Sequence, residues 1–490
     1  MNTGGVFNLI THDGDCDKIL CATERLNKRL EGIRVARLLT QQEPMPTLQE
    51  LEQTHVFFIK SSFKPFVNVA SEYFKIGPSS PMGFDNQLVF EIPNVGQFLS
   101  DQVLHVQISG FGIAGADPNT TNTYRYANFP GIKLCRNTEF SIGEVKIDNY
   151  TSIDSLFQSN FMLEAHKKLA LLRAVGNQEV KTASVYLPET QISQEFPFTD
   201  GAQTLKTFQP ALEMWIPLMF QHNLLPCNAL CHELLPWGQR LIKIDMAAID
   251  EIISARAPGY QLKIPIPANI KSQIKIEVAE LYTNCLFIGA DILDIYKRRL
   301  NFSLIRIHGR VRHKTIETNG RYLLNNIKHP IEYLYVAFRP VENDNVERWS
   351  DFMFITDKTF CIPVVENCNN IVIKQALWKD KQFPVNSLSI ISNGIRIFQE
   401  NQIRFYEDFL PFSRGNTAVA LRGVYLIPFN LKTGEQQPSG YYNISRNRET
   451  YIEWTSNVIS KDRPAELLIA AAEMNFLIVK DGKAWLLYDT

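Results

Sequence analysis

The chain carries almost no net charge: 50 basic and 51 acidic residues leave it at -1 over 490 residues. A whole-molecule nucleic-acid binder carries a clear basic excess, so direct nucleic-acid binding is not expected. Little net repulsion opposes dense packing against other protein. Cysteine is sparse: eight, far apart and without a framework spacing. No charged and apolar leader opens the chain, so reduced thiols in a cytosol-like compartment are expected. The sequons at Asn119, Asn149, Asn301 and Asn443 are then expected to stay unused. No apolar run reaches the ~18–20 residues of a membrane-spanning helix. His-x-His, Gly-x-Ser-x-Gly, a phosphate-binding glycine loop and His-Glu-x-x-His are all missing. Their absence removes cupin-type metal sites, serine hydrolases, nucleotide hydrolases and zinc proteases from consideration. The carboxylates are too scattered to nominate a glycosidase pair. No catalytic residue, cofactor or metal is expected, and the chain reads as a non-enzyme.

What is present is β-strand language. Hydrophobic residues make up 45% and aromatics 11%, ample for packed cores, and the length suggests two or more domains. Residues 1–54 stand apart as an N-terminal arm. In it, Ile19, Leu26, Leu30 and Ile33 follow a helical spacing between Asp15 and Leu38. From His55 short aromatic and β-branched runs alternate with Gly/Pro/Asn turns. Phe57–Val69, Gln87–Ile92 and Val103–Ser109 read as strands, and Glu139–Asp148 as a tight hairpin about Gly143-Glu144. Ile153–Ala174 reads as one helix within a long connection. A proline-bearing stretch with Pro258, Pro265 and Pro267 precedes a second set of strands. That set comprises Ile274–Ile288, Phe302–Ile307, IEYLYVAF, Ile371–Leu377, Leu388–Phe398, Val419–Phe429 and Ala465–Val479, with an Asp481-Gly482 hairpin near the end. Two strand sets of similar size make an all-β, double jelly roll with a few short loop helices. The domains are expected at 1–54 (arm), 55–272 (first roll) and 273–490 (second roll).

Three clusters invite chemistry. His222, Cys227, Cys231 and His232 have a Cys-x3-Cys spacing, but the apolar surroundings suit small hydrophobic cysteines better than zinc ligands. Asp13, Asp15, Asp17 and Glu24 take calcium-loop positions, yet Lys18 stands where the loop needs glycine. Acidic residues at a helix start are the simpler reading. Arg306, His308, Arg310 and Arg312 share one face of a strand, which reads as a solvated or intersubunit face before it reads as a phosphate site.

The segment Val419–Trp454 organises the rest: strand, elaborate turn, short strand, strand. Its Gln437, Pro438, Ser439 and Gly440, followed by Asn443, Ser445 and Arg446, resemble the closing signature of the major capsid proteins of nucleocytoplasmic large DNA viruses. The Pro-x-Gly-x-Arg turn at Pro236, Gly238 and Arg240 is similar to the same family. The segments GGVFNLITHDGDCDKIL, YKRRLNFSLIRIH and NFLIVKDGKAWLLY look like the asfarvirus (African swine fever virus) type. The loops at 110–133 and 176–208 look shorter than in that type. The resemblance implies a structural protein: a homotrimeric, pseudo-hexagonal capsomer tiling an icosahedral shell. It also implies minor capsid partners, an arm at the inner-membrane side, a place in the virion capsid and assembly in the host cytoplasm. The alternatives are a minor capsid protein, against which the second strand set argues, and a carbohydrate-binding or carbohydrate-active jelly roll, which an aromatic platform with acidic partners would favour.

Overall fold

Sixteen strands carry the architecture, and they fall into two sets of eight. The first is β1 (Val69–Ile76), β2 (Gln87–Glu91), β3 (Phe98–Ile108), β4 (Cys135–Ile142), β5 (Val145–Thr151), β6 (Leu212–Pro217), β7 (Arg240–Met246) and β8 (Ile276–Ile288). The second is β9 (Phe302–Thr315), β10 (Asn319–Leu323), β11 (Pro330–Pro340), β12 (Ser387–Ser392), β13 (Ile395–Gln402), β14 (Val424–Pro428), β15 (Thr450–Thr455) and β16 (Ala465–Lys480). The sheets of the first set have the orders β1-β8-β3-β6 and β2-β7-β4-β5; those of the second have β9-β16-β11-β14 and β10-β15-β12-β13. Each strand of one set therefore has a counterpart eight strands later, and neighbours such as β3 with β6 and β8, or β16 with β9 and β11, pair antiparallel. This is the double jelly roll expected from the sequence.

This is a computed structural model. It describes residues 69–490 apart from short stretches, the longest at 294–301, and six helical positions between Lys28 and Leu39. For 180–187, 192–199 and 357–379 it describes the backbone only. Residues 1–69 and 70–490 form separate units. In the first unit, Lys28, Glu31, Gly32, Val35, Leu38 and Leu39 are helical and exposed. The remaining positions of the expected amphipathic helix, the calcium-loop aspartates and the expected Phe57–Val69 strand up to residue 68 lie outside the described residues.

Alternation decides which side chains fill each roll. Along β3 and β7 buried and half-buried positions alternate, as strands with one wet face require. Leu88, Phe90, Leu104, Val106, Phe140 and Ile242 meet in the first core. Leu334, Val336, Phe338, Ile390, Ile452 and Trp454 meet in the second. Strands β11 and β14 are buried at nearly every position, because both faces of their sheet are covered. The second cover comes from the first roll, through the helix α1 (Ser152–Met162).

Three expectations are corrected. Strand Ile276–Ile288 pairs along β3, from Ile276 opposite Ile108 to Leu286 opposite Phe98; it closes the first sandwich and does not open the second. The run Leu388–Phe398 is a hairpin: Asn393 (φ 48) and Gly394 (φ 79) both adopt left-handed backbone. That is the two-residue turn Asn-Gly favours. The helix expected over 153–174 is two, α1 and α2 (Ala165–Ala174), broken at extended Leu163 and Glu164.

Candidate functional site: the seam between the rolls and the signature corner

The basic strand face is a seam between the two rolls. On β9, Val311 points into the second core, so Arg306, His308, Arg310 and Arg312 point the other way. Opposite them stand Asp148 of β5 and the start of α1. Thr151 and Asp154 cap α1 reciprocally, the Thr151 N–H donating to Asp154 Oδ2 at 2.8 Å, which anchors the helix directly after β5. His308 Nδ1 lies 2.8 Å from Asp148 Oδ2 and Nε2 lies 3.0 Å from Gln158 Oε1; the His308 backbone N–H donates to Asp148 Oδ1 at 2.9 Å. Two oxygen acceptors on one ring suit the imidazolium. Burial works against that charge, but the Asp148 carboxylate outweighs it and holds the His308 pKa above its ordinary value. Arg310 lies 3.9 Å from Asp154.

Beside this polar strip the seam is apolar. Phe161 stacks on Tyr335 at 4.6 Å, and Phe157 meets Phe352 at 5.4 Å. Ala470 and Ala472 of β16 complete the floor; small residues there let the helix approach closely. A second tie joins the connections at the edge of the seam. Arg256 is bonded to Glu347 at 2.7 Å and the Trp349 indole donates to Asn128 O at 2.7 Å.

The signature residues form the corner between β14 and β15. The Ser439 hydroxyl accepts from Lys432 N–H at 2.9 Å and donates to Lys432 O at 3.1 Å, closing a loop. Gly440 has φ 149, and an added Cβ would meet Phe429 O at 3.1 Å, so the corner needs glycine. Asn443 pairs with Pro330 at the start of β11, and its Oδ1 accepts the Ser445 N–H and hydroxyl at 3.2 and 2.6 Å. Arg306 joins corner to seam: it is ion-paired with buried Glu332 and donates to Glu435 O at 2.8 Å. Gln437, Pro438, Asn443 and Arg446 line a cleft of about 940 Å³ whose other wall includes Phe220, His222 and Leu230 of the first roll. The stretch from Phe220 to Leu230, after β6, thus faces the corner before β15.

Of the other turn, Arg240 is buried and donates to Asn94 Oδ1 at 3.2 Å; Pro236 and Gly238 lie outside the described residues. Of the cluster weighed for zinc, His222 lies stacked on Phe220 at 5.7 Å and beside Phe140 at 5.1 Å, and burial pushes its pKa down to about 4. Cys231 is buried beside Phe98 and Leu293. The side chains of Cys227 and His232 lie outside the described residues.

The sequence reading missed the outer face of the sheet β1-β8-β3-β6. There His105 stacks on Trp215 at 4.1 Å, and Trp215 meets Tyr282 at 5.1 Å. Glu213 lies 3.0 Å from His105, and Lys75 is 2.9 Å from Glu280. Alternation within LEMWIP and ELYTN carries that signal, but three distant segments must be paired before it becomes a patch.

Comparison with known proteins agrees with this architecture. A family model described as "Large eukaryotic DNA virus major capsid protein" matches residues 293–484. The major capsid protein of an African swine fever virus warthog isolate is 26% identical over 649 aligned residues, covering 100% of both chains. The hexon protein of the Badajoz strain is 26% identical over 650. An alignment longer than these 490 residues means that the relatives carry insertions. Among solved structures, the Faustovirus major capsid protein superposes with a TM-score of 0.75 at 23% identity, covering 96% of this chain and 100% of that one. A quasi-atomic model of the PBCV-1 virus capsid gives 0.61 at 16% identity, covering 88% and 100%. With the paired strand orders of the two rolls, these likenesses make the chain similar, over its full length, to the major capsid proteins of large eukaryotic DNA viruses.

Proposed function

We propose that three copies of this chain form a pseudo-hexagonal capsomer, and that such capsomers tile an icosahedral shell. The observation that carries this is the repeated strand order. Each copy holds two equivalent eight-stranded blocks side by side, so a closed ring of three presents six blocks of one kind. A closed ring avoids runaway polymerisation, and an obligate contact of this sort buries on the order of 2,000 Å² or more. In this reading the arm at 1–54 faces an inner membrane, the first roll runs through Ile288 and the second follows it. Minor capsid proteins lie beneath, and assembly takes place in the host cytoplasm. The signature residues act as architecture, holding the β14–β15 corner against β9 and β11. Light scattering coupled to size exclusion tests it: a single species near three times 56.1 kDa is expected. A folded monomer at high concentration would defeat it.

A carbohydrate-binding role has one observation in its favour, the His105–Trp215–Tyr282 platform with Glu213 and Glu280. Stacking on His105 already covers one face of the indole, which leaves less of it for a sugar ring. A glycan array with Trp215→Ala as control tests this reading, and specific retention lost in the variant would establish it.

A further inference from the structure

The contact inside the chain has a counterpart outside it. In the first roll, the strand β5 and the helix that follows it cover the outer face of the second roll's sheet β9-β16-β11-β14. Moved forward by eight strands, the covering element becomes β13 with the helical segment Phe405–Arg414. Apolar side chains stand exposed on this element: Ile395 is 71% exposed, Phe412 83% and Phe409 52%. The segment is held firmly. The Tyr406 hydroxyl lies 3.1 Å from Leu388 O and 3.0 Å from Gln399 O, and buried Glu407 accepts the Gly423 N–H at 2.8 Å. Those anchors leave Phe409 and Phe412 pointing out.

The face that corresponds to the covered one is the outer side of β1-β8-β3-β6. It too carries exposed aromatics, with Tyr73 at 54% and Trp215 at 37%. Charge runs the complementary way. Within the chain, acidic Asp148 and Asp154 cover a basic face. On the outer face of the first roll, Asp101, Glu213 and Glu280 outnumber Lys75 and His105, and the element to be docked is flanked by Arg404 and Arg414 with one exposed carboxylate, Asp408, between them.

Resting on the reading that the chain assembles with itself, we infer that Phe405–Arg414 and β13 of one copy dock on the outer face of β1-β8-β3-β6 of a second copy, Phe412 and Phe409 seating against the Trp215–Tyr282–Tyr73 patch. The contact repeats the internal seam from molecule to molecule. It is heterologous, and such a contact closes into a ring of three when its rotation is a third of a turn with no rise along the axis.

The test uses the full chain. Phe412→Asp and Ile395→Asp replace exposed side chains, so the fold is kept. Light scattering should show the multi-chain wild type reduced to 56.1 kDa in both variants, with unchanged circular dichroism. Independently, benzoylphenylalanine at position 412 should on irradiation join two chains, with adducts in the peptides bearing Trp215 or Tyr282. A wild type and variants of the same multi-chain mass, with adducts mapping elsewhere, would overturn the docking and leave self-assembly standing. A wild type that stays a single chain at high concentration would overturn both.

Discussion

Two histidines, half-buried His308 and buried His222, have their pKa values shifted in opposite senses, and each tests one part of the site. His308 has its pKa raised, burial opposing the charge and Asp148 prevailing. Its stabilising contribution is therefore complete below the unfolded value near 6.5 and is lost as pH rises through the folded pKa. Thermal melts from pH 6 to 9 should show a larger alkaline decline for wild type than for His308→Ala. Equal declines would separate His308 from the seam's stability. His222 has its pKa lowered to about 4 by burial. The unfolded chain takes up its proton first, so stability falls as pH drops from about 6.5 to about 4, by an integrated loss of roughly 3 kcal/mol. In His222→Leu this acid limb should flatten in urea titrations at pH 7 and pH 4. At the corner, Gly440→Ala adds a Cβ 3.1 Å from Phe429 O on a φ of 149 and should cost about 1–3 kcal/mol in denaturant unfolding.

At the scale of elements, α1 matters because it supplies one roll with a cover and the other with an anchor. Its apolar residues Ile153, Leu156, Phe157 and Phe161 are buried against the second roll, while Asp154 and Gln158 meet Arg310 and His308. Phe157→Ala empties the middle of that contact and should cost ~3–5 kcal/mol. Limited proteolysis should then cut the β8–β9 connection faster than in wild type; unchanged cleavage would show that α1 does not hold the rolls together. The hairpin β12–β13 depends on a different device. Asn393 and Gly394 take left-handed backbone in a two-residue turn, so Gly394→Val should destabilise that hairpin while leaving the first roll intact. Amide exchange confined to β12 and β13 would report it.

The whole molecule behaves as two copies of one block joined by a face that is half polar strip, half aromatic. Because the seam packs half-buried His308 together with buried Glu332, Tyr335 and Phe157, the two rolls should unfold in one calorimetric transition. In the double variant Phe157→Ala/His308→Ala that transition should split. A split already present in wild type would mean that the seam couples the rolls weakly. The same repeat relation, extended beyond one chain, leaves matching aromatic patches on the outer face of the first roll and on the element after β13.

What the residues determined by themselves was the class of fold and many of its strands. Alternation and turn chemistry are local, so Gln87–Glu91, the Gly143-Glu144 hairpin and Thr450–Thr455 were legible in order. The long motifs, from the corner at Gln437–Gly440 to the closing strands, pointed to the family. Partnership was not legible. Strand Ile276–Ile288, read from the sequence as the start of the second sandwich because prolines precede it, is assigned to the first only by its pairing with β3. The Arg306–Arg312 face reads as solvated or intersubunit until Asp148 and α1, some 150 residues earlier, are folded against it. The Trp215 patch does not exist until β3, β6 and β8 lie side by side. Period and turn are properties of neighbours in the chain, whereas seams and patches belong to segments that only the sheet brings together.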